Sequence, residues 1–264
     1  MRLRVILLSA FLTAGITTLC AAQDQLPSLH GRCTIAPGMK DGQVRFELEE
    51  GDCGDDGHNC HNHDSDSMPL STFSGFTLAD LQHEGAHLDA VISAEAGKLT
   101  CSGTVHDLTL SGESTFVPNP AFVAQMRQMG FSDFDSRKLE AYTLFHIETS
   151  WIRSLQAEGV SDMDSGNIIA LRIFKVDAPY VRDMTALGYP HLGASKLIAF
   201  KVQGVNPDEV RQVRALGYQP TADELIQMRI FKVTPDFIRR MSSRGLGKLT
   251  ISKLVQIRIF KLAD

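Results

Sequence analysis

The pentapeptide His83-Glu84-Gly85-Ala86-His87 spells the H-E-x-x-H signature of zinc peptidases. That chemistry needs a helix, because residues i and i+4 then share a face, two imidazoles bind Zn²⁺ and the glutamate polarises the metal-bound water. His83 and His87 are thus candidate metal ligands and Glu84 the candidate catalytic base. Leu78, Leu81, Leu88 and Ile92 could line such a helix, and Glu95 or Glu113 could add a third ligand. Against it, Gly85 would cost about 1 kcal/mol inside a helix, and the extended metzincin form asks for Gly and His where Ala90 and Ser93 stand. The following "LDAVISAEAGKLTCSG" reads as a β-hairpin turning at Glu95-Ala96-Gly97, which places the motif in the loop before a strand.

A second set of ligand-type residues lies in "GDCGDDGHNCHNHDSDS": Cys53, His58, Cys60, His61 and His63 among aspartates. Soft and borderline donors at this density suit Zn²⁺, Cu or Ni, although the spacing matches no zinc finger. A Cys53–Cys60 disulfide closing a solvated loop is the competing reading. A metal site here could be completed by His83 and His87 from across the same module, which would make them ligand donors without making a protease.

The compartment decides between thiol and disulfide. Arg2 and Arg4, an apolar run from Val5 to Leu19 and the small residues Ala21 and Ala22 form a secretory signal with cleavage expected near Ala22. The fifteen-residue run is short for spanning a bilayer core of about 30 Å, and Leu19 before Cys20 argues against lipidation. Periplasmic or secreted localisation follows, with no stable membrane insertion after cleavage. Cys33, Cys53, Cys60 and Cys101 remain, and four cysteines allow three pairings. Residues 1–170 carry 10 Lys/Arg against 23 Asp/Glu, whereas residues 171–264 carry 16 against 8. A basic half could serve an anionic partner or attract the acidic half; nucleic acid is a poor partner after export.

The positioning elements fall into two textures. From Val44 to Val117, "VRFELE", "KLTCSG" and "DLTLSG" alternate apolar and polar residues between glycine-containing turns, which predicts a small antiparallel β module. From residue 118 the chain repeats: glycines stand at 130, 159, 188, 217 and 245, and branched apolar residues at 147, 176, 205, 233 and 262, at intervals of 28 or 29. "RIFKV" recurs at 172–176 and 229–233, and "RIFKL" closes the chain's last unit at 258–262. Each unit reads as two helices. The first opens on a cap and often proline (Asn119-Pro120, Asn206-Pro207, Thr234-Pro235) and ends at the recurrent glycine. The second starts at Asp135, Asp164, Thr221 or Thr250, with Gly193 in the third unit and a capping box from Thr221 to Glu224.

The predicted fold class is α+β: signal peptide 1–22, linker 23–43, β module 44–117 with its Cys/His/Asp-rich loop, and an α-solenoid-like array of about five 29-residue helix-pair repeats over 118–264. "STFVPNPAFVAQMRQMGF" at 114–131 and "GVNPDEVRQVRALGYQPTADELIQMRIFKV" at 204–233 resemble a pattern of bacterial exported and membrane-anchored proteins. In it a short β module runs into helical repeats of "VTPEFVRELRALGY…LSADELVRLRIHGV" type, as also found in tails of membrane metallopeptidases similar to β-lactam-sensing antirepressors. The resemblance covers about residues 44–264. It implies an accessory or interaction role and carries over no catalytic residues. The leading expectation is therefore an exported, non-enzymatic scaffold that binds an envelope protein through its helical repeats, without a cofactor. The alternative is a zinc-dependent hydrolase or metal sensor using HEGAH and the Cys/His-rich loop.

Overall fold

The computed structural model describes residues 26–51, 61–245 and 247–262. The signal segment, with Cys53, His58 and Cys60, lies outside the described residues. The described part is α+β, a six-stranded antiparallel sheet followed by ten helices.

The strands are β1 (Leu29–Pro37), β2 (Gln43–Glu50), β3 (His61–Pro69), β4 (His87–Ala94), β5 (Gly97–His106) and β6 (Thr109–Pro118), in the order β3-β2-β1-β6-β5-β4. Two three-strand meanders therefore meet along a β1–β6 seam, where Ile35 faces Leu110. Alternation puts Ile35, Val44, Phe46, Leu48, Ile92, Leu99, Val105, Leu110 and Phe116 inside. The stretch 23–43, expected as a linker, holds β1 at the centre of the sheet. Its inward positions include Gly31 and Cys33, small residues that hide the strand period. At Gly31 a Cβ would come within 2.1 Å of the Glu49 carbonyl oxygen.

Cys33 on β1 and Cys101 on β5 form a disulfide across the intervening β6, with 5.9 Å between their Cα atoms. Strands two places apart would lie about 9.5 Å from each other in a flat sheet, so the sheet folds sharply here. Small residues under the bridge permit it: Cys33 faces Gly112 and Cys101 faces Ser114. A side chain on Gly112 would run into the Ser102 carbonyl oxygen 2.0 Å away.

The helices are α1 (Pro120–Gln128), α2 (Ser136–Leu144), α3 (Thr149–Ala157), α4 (Ser165–Ile173), α5 (Ala178–Ala186), α6 (Ala194–Val202), α7 (Pro207–Ala215), α8 (Ala222–Ile230), α9 (Pro235–Ser243) and α10 (Ile251–Ile259). Their starts follow the capping chemistry: the side chains of Asn119, Asp135, Asp164, Asn206, Thr221, Thr234 and Thr250 each accept from a first-turn N–H, and Thr221 with Glu224 closes the capping box. The odd-numbered helices run out into Gly130, Gly159, Gly188, Gly217 and Gly245, all left-handed with φ between 74° and 94°. Even-numbered helices pack on one another (α2 on α4, α4 on α6, α8 on α10), as do α3, α5, α7 and α9. No described helix is long and apolar enough to cross a membrane.

Neighbouring units are tied by side chains that donate to the preceding unit's helix-end carbonyls. Arg172 reaches the Phe145 oxygen at 3.0 Å, Arg229 that of Gln203 at 3.2 Å and Arg258 that of Lys232 at 3.2 Å. Those carbonyls have no partner within their own helix, and they form its negative pole. The other direction is served by Tyr142 and Tyr189, donating to the Ser165 and Pro220 oxygens of the next unit. The first arginine of "RIFKV" is thus an inter-unit cap, a role invisible in hydrophobic periodicity.

The boundary expected at 117/118 is not a boundary of the core. Helix α2 lies on β4, β5 and β6, and Phe122, Leu139 and Tyr142 belong to the same apolar cluster as Leu99 and Phe116.

Candidate functional site

The HEGAH segment forms the turn entering β4, as the hairpin reading requires, and the hairpin itself turns at Glu95-Ala96 between Ala94 and Gly97. His83 follows a short 3-10 turn in extended conformation, Gly85 is left-handed at φ 77° and His87 is the first residue of β4. The two imidazoles therefore do not share a helical face. Glu84 accepts from His106 Nδ1 at 2.7 Å and from the Asp107 N–H at 3.1 Å, and these bonds hold its carboxyl below the usual glutamate range. Asp107 and Leu108 form the β5–β6 turn at φ 48° and 62°, so Glu84 braces a strained hairpin. His87 Nε2 lies 3.3 Å from Ser102 Oγ.

Glu95 is likewise committed: its carboxylate accepts from the Thr149 N–H and hydroxyl, both at 2.9 Å, capping the start of α3 from the β4–β5 turn. Glu113 is exposed on β6 opposite Arg32. Of the Cys/His-rich segment, His61 and His63 belong to β3, an edge strand at the far end of the sheet order from β4. The His63 ring packs against Phe46 and Phe145, at centroid distances of 6.2 and 6.0 Å. Among the described residues no three His, Cys, Asp or Glu side chains come together as a metal-sized group.

Two features had no sequence signal. Glu50 on β2 and Glu140 on α2 are both buried, at 3% and 2% exposure, and their side chains are hydrogen-bonded to each other. Burial first, then the neighbouring Glu50 carboxyl, pushes Glu140 up to about 9, with Arg137 opposing. At neutral pH Glu140 keeps its proton, and the pair locks the sheet to the first helix pair.

The second feature is a row along the ends of the even-numbered helices. Ile173, Phe174, Val202, Ile230, Ile259 and Phe260 are exposed there, from 40% at Phe174 to 66% at Phe260. They are the large exposed apolar side chains among the described residues of the helical part, together with Leu262 just beyond α10. Cations accompany them. Arg172 lies 5.5 Å above the Trp151 ring, Lys201 4.2 Å above Tyr180 and Arg258 4.1 Å above Phe237, while Arg229 pairs with Glu209. At one end the row opens into a cleft of 590 Å³ between β3 and the ends of α2 and α4, lined among others by His63, Asp64, Phe145, His146, Arg172 and Lys175.

Comparison with protein-family models, curated proteins and solved structures gave no match.

Proposed function

We propose that this is an exported, non-enzymatic interaction protein whose solenoid-like array of five helix pairs binds a protein partner in the bacterial envelope. One observation carries the reading: the large apolar side chains exposed by the array fall at one repeated position, the ends of the even-numbered helices, instead of being scattered. Scattered exposed apolar residues need no explanation, whereas a contiguous row marks a contact surface. The Cys33–Cys101 disulfide fits the oxidising compartment expected from the N-terminal segment. Glu84, the candidate base, is already occupied as a hairpin brace.

The test is site-specific photo-crosslinking in cells, with the probe at Ile230 or Phe260 and, for comparison, at exposed Arg239 on α9. The full mature chain is required, because α1 and α2 share the core of the sheet. Discrete adducts from the row positions and none from position 239 are the expected outcome. Equal labelling at all three, or none, sinks the reading.

A further inference from the structure

The even-numbered helices end differently from the odd-numbered ones. All five odd helices use glycine for the left-handed residue after the last turn. The even helices place His146, Lys175, Gly204, Lys232 and Lys261 there, with φ of 47°, 55°, 69°, 54° and 50°. A side chain in this conformation carries a steric cost that glycine avoids. A basic group near a helix C-terminus recovers part of that through the dipole, but the odd helices have the same dipole and use glycine throughout. Gly204 shows that glycine is accommodated in the even row as well. The lysines are therefore kept for their side chains, which stand exposed beside the exposed Ile and Phe residues.

The first unit shows what such a helix end accepts. There this chain's own β3 runs beside the position: His63 packs edge-on against Phe145, and Asp64 lines the cleft that also holds His146, Arg172 and Lys175. An extended, aspartate-bearing strand thus flanks unit 1, and the same helix ends continue exposed through units 2 to 5. Packed helices lie about 10 Å apart, so a chain in the extended polyproline II conformation, rising about 3.1 Å per residue with three residues per turn, passes one unit every three residues and turns the same face to each.

Deepening the proposed function and resting on it, we infer that the row binds an extended acidic segment of the partner protein, about twelve residues long, with an apolar side chain at every third position. Its apolar groups would lie on Ile173, Phe174, Ile230 and Phe260, and its carboxylates on Lys175, Lys232 and Lys261.

Fluorescence anisotropy with the full mature protein tests this, the probe being a labelled twelve-residue peptide with Leu at every third position and Asp elsewhere. Two comparison peptides carry Lys for Asp or Ser for Leu. The key variant is Lys175→Gly/Lys232→Gly/Lys261→Gly, which removes charge where the backbone prefers glycine and so should not unfold. Saturable, salt-sensitive binding of the Asp/Leu peptide, weakened about tenfold or more by the triple glycine variant, is expected, with neither comparison peptide binding comparably. Equal binding of the three peptides, no binding, or no effect of the variant overturns the inference. Co-sedimentation with phosphatidylglycerol vesicles that depends on the three lysines, without peptide binding, would assign the row to a membrane surface and overturn it too. Crosslinks from Ile230 and Phe260 to a protein alongside a failed peptide would refute the acidic segment while leaving the interaction role standing.

Discussion

Glutamine in place of Glu140 should make the protein more stable at neutral pH and flatten its pH dependence. In the folded state this carboxyl holds its proton to about 9; its ordinary value is 4.5. Between those limits the unfolded chain has released the proton and the folded chain has not, so stability falls as pH rises by about 1.4 kcal/mol per unit. Below the lower limit both states are protonated and the penalty vanishes; above the upper one it levels off. At pH 7 the penalty is roughly 3 kcal/mol. The amide of Glu140→Gln keeps the shape and can still donate to Glu50, without an ionisable proton to lose. Urea unfolding followed by the fluorescence of Trp151, the single tryptophan, should give wild-type midpoints that fall steadily from pH 5 to 8 and variant midpoints that barely move. Superimposable pH profiles, or a variant less stable than wild type at pH 8, would refute the shared-proton account of this junction.

Other expectations follow from the same geometry. Cys33→Ala/Cys101→Ala should cost about 4 kcal/mol, the chain-entropy value for a loop closed over 68 residues, read as a lowered urea midpoint; reduction of the wild type should match it. Tyr142→Phe removes a buried hydroxyl that donates to the Ser165 carbonyl oxygen at 3.0 Å and should cost about 1–2 kcal/mol in the same assay. His83→Ala/His87→Ala should leave the metal content of the purified protein unchanged by atomic emission, and stoichiometric zinc lost in that variant would revive the hydrolase reading.

What could be read in the chain, and what could not, divides along physical lines. Caps and turns are local chemistry, so Asp135, Asp164, Thr250 and the five odd-helix glycines gave away helix ends one by one, and Gly85 with the hairpin behind it placed HEGAH in a turn. β3 stayed hidden because "HNHDSDS" has no apolar residue before Met68: it is an edge strand held by backbone pairing and reads as a solvated loop. The Cys33–Cys101 pairing needed the sheet order and the smallness of Gly112, neither of which is local. The even-helix ends were obscured for the opposite reason, since lysine is not expected at a left-handed position. Glu50 and Glu140, ninety residues apart, give no sign in the sequence of sharing a proton.

The donors that cross from each unit to its predecessor give the helical part a direction. At its start the helical part is joined to the sheet, the first unit through Phe122, Leu139 and Tyr142 in a shared apolar core and the second through Glu95, which caps α3. The sheet thus covers the first helices much as a terminal capping repeat covers its neighbour in repeat proteins. A duplication or loss of 29 residues would then lengthen or shorten the exposed row by about 10 Å, one helix spacing, while leaving the sheet and its disulfide as they are. The number of units acts as a ruler, and the length of the exposed row can change in evolution by whole steps.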